Sequence, residues 1–281
     1  MTSKITYASV LGSYRDLVVG RYPDGCPWVK NTHTPERILV RGDLSDLITA
    51  LFWVDAERQR KGDFEISLHL PLVPGSRQDR LSTYDETFRE DGDILFTLRS
   101  VAQAINARSF TKVYVADPHS DVTPALIDRC NVLSAYEILS PLRTELVDKY
   151  QAVISPDAGA EKRAKGVARM LGLPLFRAWK TRDVATGEIS GFGCEPLPSY
   201  VHSALVVDDI CDGGGTFLGL RGAVPQCFNL GLYVTHGLFT QGTEKLLRAF
   251  VEVICTDSTI AERPGVRVIH VYEAEGRERT E

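Results

Sequence analysis

Ala204-Leu205-Val206-Val207-Asp208-Asp209-Ile210-Cys211-Asp212-Gly213-Gly214-Gly215-Thr216 reads as a buried strand that gives way abruptly to acids and then to glycines. Ala204 to Val207 show no polar alternation, the mark of a strand covered on both faces of a parallel sheet. Gly213, Gly214 and Gly215 allow backbone N–H groups to converge on an anion. Thr216, opening the next helix, adds a hydroxyl and the positive end of a helix dipole. A sugar phosphate suits such a loop. Asp208 and Asp209 cannot favour the same phosphate, so their expected partners are sugar hydroxyls, which donate, or a magnesium ion carried by a substrate. A lone glycine run is more often a turn with an acidic helix cap, so the rest of the chain has to decide.

Outward from this stretch, helical and extended patterns alternate. Behind Asp43, a helix cap, Leu44, Leu47, Ile48, Leu51 and Phe52 recur at helical spacing. Ile66 to Val73 reads as a strand ending at Pro74-Gly75. Ile94, Leu95, Leu98, Val101, Ala102 and Ile105 mark a second helix, and Lys112 to Ala116 a second strand. A less regular stretch, Asn131 to Pro141, is the expected domain junction. Strand Ala152 to Ser155, helix Lys162 to Leu171 and strand Leu173 to Trp179 follow. Strand Ala204 to Val207, a helix from Thr216, strands Asn229 to Val234 and Val251 to Cys255, and a closing strand Val266 to Tyr272 complete the pattern. The expected fold is α/β, with mainly parallel sheets flanked by helices and ligands beyond the carboxyl ends of the strands. Two domains are expected at this length, residues 1–135 and 136–281, with the last strand a candidate to pack on the first domain.

The chain has 281 residues, 43% hydrophobic and 25% charged, which supports a real core. Its net charge of -5 offers no basic face for nucleic acid or an anionic membrane, so neither is an expected partner. No apolar run approaches the roughly 20 residues needed to span a bilayer, and no secretory leader is recognisable. Six cysteines without CxxC spacing read as reduced, mostly structural thiols. A cytoplasmic enzyme is the expectation.

The nonapeptide Asp208 to Thr216 resembles the VVDDxxDTGGT signature shared by type I phosphoribosyltransferases and ribose-phosphate diphosphokinases. Four more segments resemble the diphosphokinases alone. Arg21-Tyr22-Pro23-Asp24-Gly25 is similar to an aromatic-x-Asp-Gly segment, and Arg77-Gln78-Asp79-Arg80 to the RQDR nucleotide loop. Asp117-Pro118-His119-Ser120 is similar to D-x-H-[AS], and Ser155-Pro156-Asp157-Ala158-Gly159, with Arg163 beyond, to SPDxGGxxR. The resemblance covers Arg21 to Tyr272. It implies two phosphoribosyltransferase-type (type I) domains and transfer of diphosphate from MgATP to the anomeric hydroxyl of a ribose 5-phosphoryl acceptor, releasing AMP. It further implies an ATP site of Tyr22, Asp24, Arg77, Gln78, Asp79, Arg80 and His119, and a ribose-phosphate site of Asp208, Asp209, Asp212, Gly213, Gly214, Gly215 and Thr216. By the same resemblance magnesium would meet His119 and Asp157, Lys180 and Arg182 would be the catalytic cations of a K-x-R element, and the chain would form a homo-oligomer, dimer or hexamer.

Read as chemistry, Arg77 and Arg80 suit a polyphosphate, His119 offers one ring nitrogen to a metal or phosphate oxygen, and Lys180 and Arg182 suit charge developing on a transferred diphosphate. The bland readings are a solvated turn, a structural histidine and a charged hairpin paired through Asp183 and Glu188. The chain departs from the family at several places. DTGGT becomes Asp212-Gly213-Gly214-Gly215-Thr216, which removes a hydroxyl and adds space, Leu81 and Ser82 follow the nucleotide loop, and Cys26 stands where the family has glutamate. Diverged phage relatives place diphosphate on ADP-ribose in the reconstruction of NAD, and the Gly213 change leans the acceptor towards ADP-ribose over ribose 5-phosphate. The alternatives are a non-catalytic regulatory homologue and a phosphoribosyltransferase.

Overall fold

The computed structural model describes residues 5–8, 15–30, 35–81, 95–182, 189–259 and 263–272. By backbone contacts the chain divides into two compact units, one running to Leu133 and taking in Tyr272 from the chain's end, the other spanning Ser134–Val271.

The first unit opens with β1 (Ile5–Ala8), β2 (Arg15–Asp16) and a two-stranded hairpin, β3 (Val18–Arg21) and β4 (Pro27–Lys30). β5 (Arg37–Val40) leads to α1 (Leu44–Lys61), then come β6 (Ser67–His69), α2 (Thr97–Asn106), β7 (Lys112–Ala116), α3 (Val122–Leu126) and β8 (Cys130–Leu133). Its main sheet has the order β2-β1-β5-β6-β7-β8, parallel from β5 to β8 and antiparallel at β1 and β2. The first helix forms where the sequence indicates. The Asp43 carboxylate accepts from the N–H groups of Ser45 and Asp46, and Asp46 reaches back to the Asp43 N–H, a reciprocal capping box. Its buried face is Leu47, Ala50, Leu51, Trp53 and Val54, whereas Leu44 and Phe52, expected in the stripe, are 42% and 51% exposed. That face packs with Leu98, Val101, Ala102 and Ile105 of α2 over Ile38, Leu68, Val113 and Val115 of the sheet.

Several expected spans differ. The strand read over Ile66 to Val73 is only Ser67–His69, because Pro71 can donate no ladder hydrogen bond. The second helix begins at Thr97, with Leu95 68% exposed and Ile94 outside the described residues. The stretch read as irregular contains β8 and the first helix of the second unit.

That unit comprises α4 (Ala135–Leu139), α5 (Arg143–Lys149), β9 (Ala152–Ser155), α6 (Glu161–Leu171), β10 (Leu175–Arg182), β11 (Ile189–Cys194), β12 (Ser203–Cys211) and α7 (Gly215–Ala223). It closes with β13 (Asn229–Gly237), α8 (Glu244–Ala249), β14 (Glu252–Thr256) and β15 (Arg267–Ile269). The sheet order is β11-β10-β9-β12-β13-β14-β15, parallel except for β11. The last strand therefore completes the second sheet, pairing with β14, and does not join the first. The fold is α/β with mainly parallel sheets, as expected. Among the described residues no helix is long and apolar enough to cross a membrane, and all six cysteines are free thiols.

β12 carries the largest correction. Read as ending at Val207, it continues through Cys211, because β13 supplies partners to the end, Ile210 opposite His236 and Cys211 opposite Gly237. Asp208 and Asp209 thus stand on a rigid strand.

Candidate active site

In the second unit, β9 runs to β10 on one side through α6, while β12 lies on the other side. The reversal at β9 and β12 is the switch point beside which α/β sheets bind ligands. The Asp208 side chain, 13% exposed, accepts from the Asp209 N–H at 2.9 Å. Arg163, from the first turn of α6 and itself 7% exposed, places Nη1 3.4 Å from Asp208 Oδ1 and 3.5 Å from Asp209 Oδ1. Burial pushes the Asp208 carboxyl well above the ordinary carboxylate range. The neighbouring Asp209 charge and hydrogen bond add to this, Asp157 adds a little, and the Arg163 guanidinium opposes it without prevailing. The Cys211 thiol, buried beside Asp208 and Asp212, is pushed up to about 12 and is unreactive as a nucleophile.

Past Cys211 the chain turns through Asp212 and Gly213 to Gly214, whose φ of +80° is the left-handed conformation that glycine adopts without strain. α7 starts at Gly215, so the N–H groups of its first turn, Thr216 among them, face outward as an anion cradle. A segment after β13 braces this loop. Thr240 donates its N–H to the Asp212 carbonyl at 3.1 Å and its hydroxyl to Asp212 Oδ1 at 2.6 Å. A Cβ at Gly213 would lie 3.2 Å from Gln241 Cγ, so part of the space read as gained by losing the threonine is taken by Gln241.

Lys180 comes from β10 where that strand has outrun its neighbour. Pairing with β9 stops at Arg177 opposite Ser155, and β10 continues against β11 alone. Its Nζ lies 2.8 Å from Asp157 Oδ2, while Asp157 Oδ1 accepts from the Ala160 N–H at 3.1 Å. Both Asp157 oxygens are thus engaged within the chain, which makes Asp157 the anchor of Lys180. The ladder shifts register between Thr181 and Arg182. The side chain of Arg182 lies outside the described residues.

The first unit carries the other candidates beyond the carboxyl ends of β6 and β7 and at the β3–β4 turn. Beyond β6, the Gln78 N–H bonds the Gly75 carbonyl at 2.8 Å to form the turn that holds Arg77, Gln78 and Arg80 exposed and Asp79 partly buried. Beyond β7, Asp117 is 6% exposed and takes a left-handed φ of +36°, rare for a residue with a side chain, before exposed His119. Tyr22, 58% exposed, and Asp24 sit at the turn of the β3–β4 hairpin, where Asp24 Oδ1 accepts from the Cys26 N–H at 3.0 Å. Arg21 of the same turn bonds Ser45 Oγ in the first turn of α1 at 2.5 Å, beside a groove of about 690 Å³.

His119 and Asp157 belong to different units, and among the described residues no group of three or more His, Cys, Asp or Glu side chains is placed to hold a metal. Arg163, Thr240 and Gln241 were not among the site residues expected from the sequence. Only Arg163 carried a signal, its place in the Ser155-to-Arg163 motif.

No protein-family model matches the chain. The ribose-phosphate pyrophosphokinase of Methanopyrus kandleri is 30% identical over 223 residues, covering 76% of this chain and 71% of the relative. The chain belongs to the ribose-phosphate pyrophosphokinase family. The Thermococcus kodakarensis member is 27% identical over 261 residues, 86% of this chain and 85% of its own. The phosphoribosylpyrophosphate synthetase of Mycobacterium smegmatis has a matching fold, with a TM-score of 0.72 at 22% identity over 90% of this chain and 85% of that one. The family resemblance drawn from the motifs is thereby confirmed, and so are two phosphoribosyltransferase-type domains.

Proposed function

We propose that this chain is an ATP-dependent diphosphokinase that moves the β,γ-diphosphate of MgATP to the anomeric 1-hydroxyl of a 5-phosphoribosyl acceptor and releases AMP. One observation carries the reading: a buried acid pair, Asp208 and Asp209, stands on β12 directly before an anion cradle, with Lys180 fixed by Asp157 at the end of the adjoining strand β9. The family relatives named ribose-phosphate pyrophosphokinase agree with it. In this reading the acid pair accepts hydrogen bonds from the ribose hydroxyls and the cradle of Gly213 to Thr216 holds the 5-phosphoryl group. Arg77, Gln78, Asp79, Arg80, His119, Tyr22 and Asp24 receive the nucleotide. The acceptor O1 forms a bond to the β-phosphorus as the bond from that phosphorus to the AMP oxygen breaks. Lys180, with Arg182 as its partner, offsets the charge that grows on the oxygens around the β-phosphorus. Positioning and electrostatics supply the acceleration, and no covalent intermediate on the protein is required.

Within this class we infer ADP-ribose as the favoured acceptor over ribose 5-phosphate, because Gly213 withholds a hydroxyl that a doubly charged terminal phosphate would use and a singly charged diester needs less. The test is to incubate the protein with MgATP and each acceptor in turn and identify products by mass. A diphosphate adduct of one sugar together with AMP is expected, and AMP without any sugar adduct would defeat the reading. Replacing Gly213 with Thr bears on the acceptor. Its φ is ordinary and the Gln241 side chain must yield a few tenths of an ångström, so the variant is expected to fold and to shift kcat/KM towards ribose 5-phosphate by about tenfold, the worth of one charge-assisted hydrogen bond. An unmoved ratio would remove Gly213 as the reason for the lean.

A further inference from the structure

The helix that carries the cradle, α7, contains Gly215, Gly219 and Gly222. Glycine inside a helix is costly relative to alanine, so an interior glycine calls for a reason. Gly222 shows none: a Cβ there would meet nothing within 4 Å. At Gly219 a Cβ would overlap the ring of Phe192. Phe192 lies on β11, and in the β10–β11 ladder its cross-strand partner is Lys180. Residues directly opposite in an antiparallel pair project to the same face. The hairpin that bears Lys180 is therefore seated on the cradle helix through an aromatic ring pressed against bare backbone, directly across the strand pair from that cation. On the opposite face, Trp179 lies over Gly193 in the same way, which stiffens the hairpin at this point.

We propose that Phe192 and Gly219 are positioning residues: their contact sets the height of Lys180 above the anion cradle, so that α7 and the Lys180 hairpin move as one piece. This inference rests on the proposed function only in taking Lys180 as the group that acts on the transferred diphosphate. A Cβ at Gly219 displaces the Phe192 ring, and on this proposal the β10–β11 pair moves with it. Displacement of a reacting group by about an ångström can cost up to a hundredfold in rate, while nucleotide binding, assigned to residues of the first unit, stays as it was.

The test compares G219A, G222A, F192L and F192L/G219A in AMP release, with KM for ATP and the thermal midpoint read for each. Expected are a kcat loss of about tenfold or more for G219A at unchanged KM for ATP, no loss for G222A with a slightly raised midpoint, and partial recovery of kcat in F192L/G219A, where the smaller side chain leaves room for the added methyl. Equal kcat in G219A and G222A would overturn the proposal, as would a double variant no faster than G219A while melting at the wild-type temperature. Should G219A fail to fold, F192L alone decides: its kcat falls at unchanged KM for ATP, or the proposal fails. Wild-type protein inert towards both acceptors, or K180A as fast as wild type, would instead defeat the proposed function or the role of Lys180.

Discussion

Asp208 holds its carboxylate in a nearly closed setting, with Asp209 adjoining it and Arg163 3.4 Å away as the offsetting charge. Its folded-state pKa is raised, so the folded chain binds this proton more tightly than the unfolded chain does. The stabilisation is fully present below the unfolded value of about 3.9 and is lost as pH rises through the raised folded value. Near neutral pH the side chain is thus kept at a cost to stability, for which its hydrogen-bond acceptors are the return. D208N removes the titration and keeps the shape. It is expected to raise the unfolding free energy at pH 7, to flatten stability against pH, and to weaken acceptor binding. Urea melts across pH 5 to pH 8 check this, and a lower midpoint with an unchanged pH slope would contradict it. Arg163 is the opposite case. R163M removes the Arg163 charge from beside two buried carboxylates and is expected to cost roughly 3 kcal/mol, the low end for breaking a buried pair because both N–O separations are long. The acids themselves were legible in the sequence, since two carboxylates before a glycine run have few other uses. Their burial and the pairing of Lys180 with Asp157 were not legible, because the pair joins residues 23 apart and depends on where β10 outruns β9.

Elements with local causes were easier to read than those with distant ones. The start of α1 could be placed because Asp43 and Asp46 form a cap from neighbouring residues and the apolar spacing follows at once. D43A is expected to lower stability by about 1 kcal/mol, measured as a shift in the urea midpoint. A midpoint equal to wild type would show that tertiary packing alone fixes this helix end. The extent of β12 had no such local sign. Asp is a poor strand former, and only the partner strand β13, whose register runs on to Gly237, holds Asp208 to Cys211 extended. The pairing places the acid pair on rigid backbone, where a side chain is held more accurately than on a loop. The shortened β6 and the missed β1 to β5 share a cause: strands of four residues or fewer give too few alternations to stand out from their surroundings.

At the scale of the whole molecule, the residues assigned to the two substrates fall in different units. The nucleotide candidates lie in the first, and the acid pair, the cradle and Lys180 in the second. That division was visible in outline as two runs of alternating helix and strand, while the exact change of unit was hidden by β8 and α4, which lie in the stretch that looked irregular. The separation lets binding and chemistry be taken apart experimentally. K180M removes the cation and keeps most of the apolar stem. Freed of its partner, Asp157 retains the Ala160 N–H as a donor, and at 30% exposure it can also recruit water, so the fold should persist. A cation that acts only on charge developing in the transition state lowers kcat and kcat/KM together when it is lost, and leaves ground-state affinity alone. K180M is therefore expected to slow AMP release by about a hundredfold to a thousandfold while calorimetric titration gives a wild-type dissociation constant for MgATP. If Lys180 instead served to bind the nucleotide, the same variant would weaken MgATP binding and saturating ATP would restore the rate. The two roles are thus distinguished by one variant measured in two ways.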